Sequence, residues 1–194
     1  MRSVAAVAAL CGLLLNTGFA QVKSTASLQP TKFEAFATQP TALVTWSKEV
    51  GQIESPKARV TVTALIIEVR EPVPQQMCGI RIDLATHNAS DQVYLEEAHL
   101  ETIKAALEQI DSEIASFRNE PDPAPNRYRG AAEFWHPQLR VHTLNAAYYI
   151  VPGSSGLSLS AYKQQEFRFP DHRPLELAKV MGQGIDELKQ HCAK

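Results

Sequence analysis

From Ala42 onward, apolar residues alternate with polar ones at the two-residue period of β-strands. Twice that alternation gives way to the three- and four-residue spacing of a helix. Leu43, Val44 and Trp46 lead into Val50 and Ile53, and Ser55-Pro56-Lys57 reads as a turn. Arg59–Arg70 is the strongest strand pattern. Val60, Val62, Ala64 and Ile66 alternate with Thr61, Thr63, Leu65 and Ile67, so its second half is apolar on both faces, as a central strand would be. After Pro72-Val73-Pro74, Cys78–Ala85 sets Ile80, Ile82 and Leu84 on one face, and Gln92–Glu96 forms a short strand beyond a turn at 87–91. Leu100, Ile103, Leu107, Ile110, Ile114 and Phe117 then recur at helical spacing, with Glu96 and Glu97 near the first turn, where the helix dipole favours negative charge.

The order repeats after a proline-rich linker. Glu133–Trp135, Leu139–Leu144 and Tyr148–Val151 read as strands, followed by a turn at 152–156, then Leu157–Tyr162 and Glu166–Phe169. A closing helix runs from about Pro174 to His191 on the stripe Leu175, Ala178, Met181, Ile185 and Leu188. Gly182 and Gly184 weaken it by about 1 kcal/mol each relative to alanine, so close packing against the sheet is the expected reason for them.

The two halves can be overlaid. GIRIDL (79–84) matches GLSLSA (156–161), VYL (93–95) faces FRF (167–169), and the stripe from Leu100 to Asp111 matches that from Leu175 to Asp186. Neither half buries enough surface alone, so a shared core is required. The predicted fold is α+β: an antiparallel sheet of about eight strands with two amphipathic helices, built as two tandem β4-α-like units around one core. The expected divisions are a signal peptide at 1–20, a flexible leader at 21–40 that can dock through Phe33 and Phe36, a first unit at 41–118, a linker at 119–129 and a second unit at 130–194. This order of elements resembles the architecture of PUR-repeat and Whirly-type single-strand nucleic-acid binders. The resemblance is one of topology without a shared sequence motif, and topology alone does not carry function.

Compartment and charge narrow the reading. Arg2, the apolar run Val4–Leu15 and the small residues Gly18 and Ala20 have the three parts of a secretory signal, and the run is too short to cross about 30 Å of hydrocarbon. No later segment is apolar enough to span a bilayer, so the mature chain is expected to be secreted or periplasmic. The 194 residues carry a net charge of -2, or -3 once Arg2 is removed, which argues against a nucleic-acid partner. The 44% apolar content excludes wholesale disorder. Loss of Cys11 with the signal leaves Cys78 and Cys192, which are expected to pair in an oxidising compartment.

Candidate chemistry is sparse. His87, His99, His136, His142, His172 and His191 form no HExxH, HxH or zinc-finger spacing, and Asp91, Glu96, Glu97 and Glu101 gather at a helix start, where the dipole explains them. No P-loop or dinucleotide fingerprint is present. No catalytic residue, metal or cofactor is therefore expected. Aromatic residues interleaved with basic ones in the second half suggest a recognition face, with Trp135, Arg140, His142, Tyr148 and Tyr149 as its candidates. Asn88-Ala89-Ser90 is a glycosylation sequon, relevant only in a eukaryotic host. The pattern points to a non-catalytic exported protein that binds a protein or glycan, of inhibitor, immunity or envelope-accessory type. The alternatives are an exported hydrolase using His99, His172 and neighbouring carboxylates, and a single-strand nucleic-acid binder.

Overall fold

The structure, a computed structural model, describes residues 31–70, 72–117, 128–136, 141–161 and 165–192. The expected signal segment, the first part of the leader, most of the linker, and Leu139 and Arg140 lie outside the described residues. Among those described, no helix is long and apolar enough to cross a membrane.

The class is α+β, as expected, but the eight strands form two sheets rather than one. Strands β1 (Ala42–Glu54), β2 (Ala58–Val69), β3 (Gln75–Thr86) and β4 (Ser90–Glu96) make an antiparallel meander in that order. Helix α2 (Glu97–Phe117) follows it. Strands β5 (Tyr128–His136), β6 (Val141–Val151), β7 (Ser154–Ser160) and β8 (Glu166–Pro170) make a second meander, closed by α3 (Pro174–His191). Strand β2 is interior to its sheet, which explains its apolar residues on both faces.

Three further details differ from the sequence pattern. Leu139–Leu144 and Tyr148–Val151 are not separate strands. Ala146 and Ala147 carry little strand signal, yet each pairs on both sides, with Ala132 and Leu159 and with Ala131 and Ser158 respectively, so β6 is continuous. The stripe of α3 is buried through Leu177, Ala178, Met181, Gly184, Ile185 and Leu188, whereas Leu175 is half-buried. A third helix, α1 (Lys32–Ala37), occupies the end of the leader. Thr31 caps it by accepting the Glu34 N–H at 3.0 Å. Its spacing of three residues puts Phe33 and Phe36 on one side, where they bury Leu65, Ile67 and Val69 of β2. Phe33 meets Tyr94 edge-on at 5.8 Å.

One core runs through both units. It joins Val60, Val62, Ile80, Ile82 and Leu84 of the first sheet to Leu157, Leu159, Phe167 and Phe169 of the second, with Leu100, Leu107, Leu177, Met181 and Leu188 from the helices. The helices change sides. Helix α3 lies chiefly on β1, β2 and β3, and α2 reaches across to β5 and β6 as the two helices pack together. The end of α3 is clipped to the first sheet by the Cys78–Cys192 disulfide, by stacking of His191 on Trp46 at 4.3 Å, and by Lys48 on Glu187 at 2.6 Å. Its start is tied to α2 by the Arg173 guanidinium, which donates to both carboxylate oxygens of Asp111 at 2.7 and 2.9 Å.

Glycines mark the equivalence of the units. Gly79 pairs with Glu96 at the end of the β3–β4 ladder, and a Cβ there would stand 2.5 Å from the Leu95 carbonyl oxygen. Gly156 pairs with Pro170 at the corresponding place in β7–β8, and its Cβ would stand 2.2 Å from the Phe169 carbonyl oxygen. The glycine shared by the two overlaid segments has a steric cause common to both, the close approach of the closing strand's backbone, and at Gly79 the Phe33 ring stands equally near at 2.5 Å.

The two glycines of α3 differ. A Cβ on Gly184 would lie 2.7 Å from Ile80 Cδ1 in the core, whereas one on Gly182 would meet only the flexible Lys104 Cε at 3.2 Å. Gly184→Ala should therefore destabilise by about 1–3 kcal/mol through overpacking. Gly182→Ala should be neutral or stabilise by up to about 1 kcal/mol through helix propensity. Urea unfolding of the two variants distinguishes them. The disulfide spans 114 residues of sequence, so Cys78→Ser should lower stability by roughly 4–5 kcal/mol in the chain-entropy treatment, read from the same denaturation curves.

Candidate functional site

Of the residues expected to form a recognition face, Tyr148 and Tyr149 are buried. Tyr148 and Tyr149 are neighbours on β6, so they point to opposite faces of the sheet. Tyr148 turns inward against Ile110 and Ile114 of α2, and its hydroxyl donates to Ser155 Oγ at 3.2 Å. Tyr149 is 1% exposed, lies 3.4 Å by its hydroxyl from Ser154 Oγ, and carries the Arg168 guanidinium over its ring at 5.2 Å. The backbones of Trp135 and His142 pair in the β5–β6 ladder beside a register shift. Arg140 lies outside the described residues.

Chemistry collects instead at the two seams between the units. At one seam the last strand of the first sheet meets the first hairpin of the second. Tyr94, Glu96, His99, Glu133 and Phe134 line a cleft there of about 340 Å³. At the other, the last strand of the second sheet meets the first hairpin of the first. Ser55, Lys57, Tyr149, Ser154, Glu166 and Arg168 line a cleft of about 430 Å³. The overlay that matches the two units puts Tyr94 opposite Arg168 and Glu96 opposite Pro170, so equivalent positions carry different chemistry.

Hydrogen bonds fix the side chains of the second cleft. Ser158 donates to Glu166 Oε1 at 2.8 Å, and Arg168 donates to Glu166 Oε2 at 2.9 Å, which holds both planar groups in place. Ser55 caps the β1–β2 turn. Its hydroxyl accepts the Ala58 N–H at 3.0 Å and reaches the Arg168 carbonyl oxygen across the seam at 3.4 Å. A second depression adjoins the cleft at that turn. Ser55, Pro56, Lys57, Ala58 and Thr86 also line this shallower depression of about 300 Å³ that adds Arg59 and His87. The result is a groove across the Ser55–Ala58 turn with Lys57 and Arg59 exposed on it.

The acidic cluster seen in the sequence disperses. Asp91 is buried and accepts the Gln92 N–H, Glu96 enters the first cleft, Glu101 meets Lys189, and Glu97 stands beside the two cysteine sulfurs. His172 bonds Glu176 one turn on, and His99 lies in the first cleft. Among the described residues, neither histidine belongs to a three-ligand cluster, and that arrangement occurs at Cys78, Glu97 and Cys192. No protein-family model matches the sequence, and no curated protein matches it either.

The groove was not legible in the sequence. Ser55-Pro56-Lys57 carries only a turn signal, and nothing in it shows that β8 of the other unit lies alongside.

Charge also organises the helix seam. The Lys189 ammonium donates to Glu101 at 2.8 Å and holds its carboxyl below the ordinary carboxylate range, while the same contact raises Lys189. The depressed Glu101 contributes stability that is present above its unfolded-state pKa and is lost as pH falls through the folded value. The raised Lys189 contributes below its own unfolded-state pKa and loses that as pH rises through the folded value. Both groups are exposed, so salt should weaken the effect. In Lys189→Ala the Glu101 carboxyl should titrate closer to its ordinary value, as followed by NMR.

Proposed function

We propose that this chain is an exported, non-catalytic binding protein, and that it holds an extended segment of a protein or glycan partner in the groove over the β1–β2 turn. Export is supported by the signal-like residues 1–20 and by the Cys78–Cys192 disulfide, which suits an oxidising compartment. The observation that carries the binding reading is that two depressions adjoin at one shared turn. A closed pocket would suit a compact small molecule. An open groove with several separated polar groups suits a chain laid along it.

The groove's chemistry favours such a partner over a phosphate backbone. Arg168 is paired with Glu166 rather than presented as a free cation. Phosphate tracking on single strands needs a basic channel with exposed stacking platforms, whereas the Tyr149 ring is covered. Lys57 and Arg59 would supply charge-assisted hydrogen bonds to a partner's carbonyl, carboxylate or hydroxyl groups.

The test uses the mature protein and the double variant Lys57→Glu/Arg59→Glu. Both positions are exposed, so the fold should be retained, as checked by thermal unfolding. A partner captured by the immobilised wild-type protein from its own envelope fraction should be identified and titrated against both proteins. Its affinity should fall about tenfold or more in the double variant, a loss of at least about 1.4 kcal/mol. Equal affinity for both proteins would remove the groove from the reading.

A further inference from the structure

We propose that Cys78, Cys192 and Glu97 form a second, metal-binding state that the disulfide masks. The reduced site would take a thiophilic divalent cation of the zinc type. This inference is independent of the groove.

One ligand atom from each of the three residues lies within 4.8 Å of the others. They come from three separate elements: strand β3, the first residue of α2, and the residue that caps α3. Glu97 is exposed, and no hydrogen bond or ion pair with another described residue engages its carboxylate. Two thiolates and a carboxylate are a zinc-type donor set, and a water completes the tetrahedron.

The ligands stay together when the S–S bond is cut. The end of α3 is held on the first sheet by Leu188 in the core, by His191 on Trp46 and by Glu187 on Lys48. None of these contacts depends on the covalent link. A divalent cation held by both sulfurs and the carboxylate would take over the role of the clip.

The chemistry balances in two steps. Two equivalents of a low-molecular-weight thiol reduce the Cys78–Cys192 bond to two protein thiols and are themselves oxidised to a disulfide. The metal dication then displaces one proton from each protein thiol to solvent and forms two metal–sulfur bonds, with the Glu97 carboxylate as third ligand.

Cobalt(II) is the probe, added without oxygen to protein reduced by a phosphine, because a thiol reductant would itself bind the metal. The reduced wild-type chain should take up one cobalt per chain, with thiolate-to-cobalt charge-transfer absorption and the intense visible bands of a tetrahedral site. Its melting temperature should rise with metal, and the unreduced protein should show neither change. Cys78→Ser should lose the charge-transfer bands. Changing even a hydrogen-bonding neighbour of a ligand costs about 10- to 100-fold in affinity, so Glu97→Gln should weaken cobalt binding at least that much while lowering the unreduced protein's melting temperature by no more than the roughly 2–4 °C that loss of a first-turn charge costs. Absence of the charge-transfer bands in the reduced wild type, one metal shared between two chains, or equal affinity in Glu97→Gln would overturn the proposal.

Discussion

The structure depends on the passage of α3 from the end of the second sheet onto the face of the first. Each meander has one apolar face that must be covered, and a helix is the available cover. Leu177, Met181 and Leu188 enter the same core as Val60 and Val62, although the two groups lie more than a hundred residues apart. Burying each such side chain contributes about 1.5–3 kcal/mol. Neither sheet could keep that contribution if the helix swung away. The disulfide, the Trp46–His191 stack and the Arg173–Asp111 fork all act on the same element, at its two ends. They fix where α3 lies, while the apolar stripe supplies most of the reason for it to lie there.

Sharing a core between two sheets creates seams, and the seams are where polar groups gather. Among the described residues no ladder joins the sheets, so the strand ends and hairpin turns at their meeting lines are left with side chains that belong to neither interior. Gly79 and Gly156 bring the closing strand of each meander close in the same manner. Each seam is bordered by one of these closing strands. The chemistry of the two seams is not alike. One presents Glu96, His99 and Glu133 beside Tyr94. The other presents Lys57 and the fixed Glu166–Arg168 pair. Two units with one architecture have thus acquired different surfaces at equivalent places.

Fold closure also redistributes groups that are neighbours in sequence. Asp91, Glu96, Glu97 and Glu101 look like one acidic patch along the chain. In the structure they have four different surroundings, because a strand sends alternate side chains to opposite faces and a helix start turns them around its axis. Glu97 is directed to the disulfide, and Glu101 to α3. The tyrosines behave likewise. Adjacent positions on β6 place one ring against α2 and the other under Arg168.

The residues by themselves determined the strand and helix periods, the repeated order of elements, and the need for a common interior. These follow from local alternation and from the size of each half. The pairing of Cys78 with Cys192 follows from there being two cysteines after the signal-like segment. The two docked phenylalanines were visible as isolated apolar anchors in a polar leader, although the short helix that carries them was not. Local pattern cannot show which sheet a helix will cover, since an apolar stripe fits either face. Only the tertiary structure decided that α3 crosses over, that eight strands divide into two sheets, and that the turn at Ser55–Ala58 borders β8. Those outcomes depend on contacts between segments far apart in the chain, whose free energies appear only once the units pack against each other.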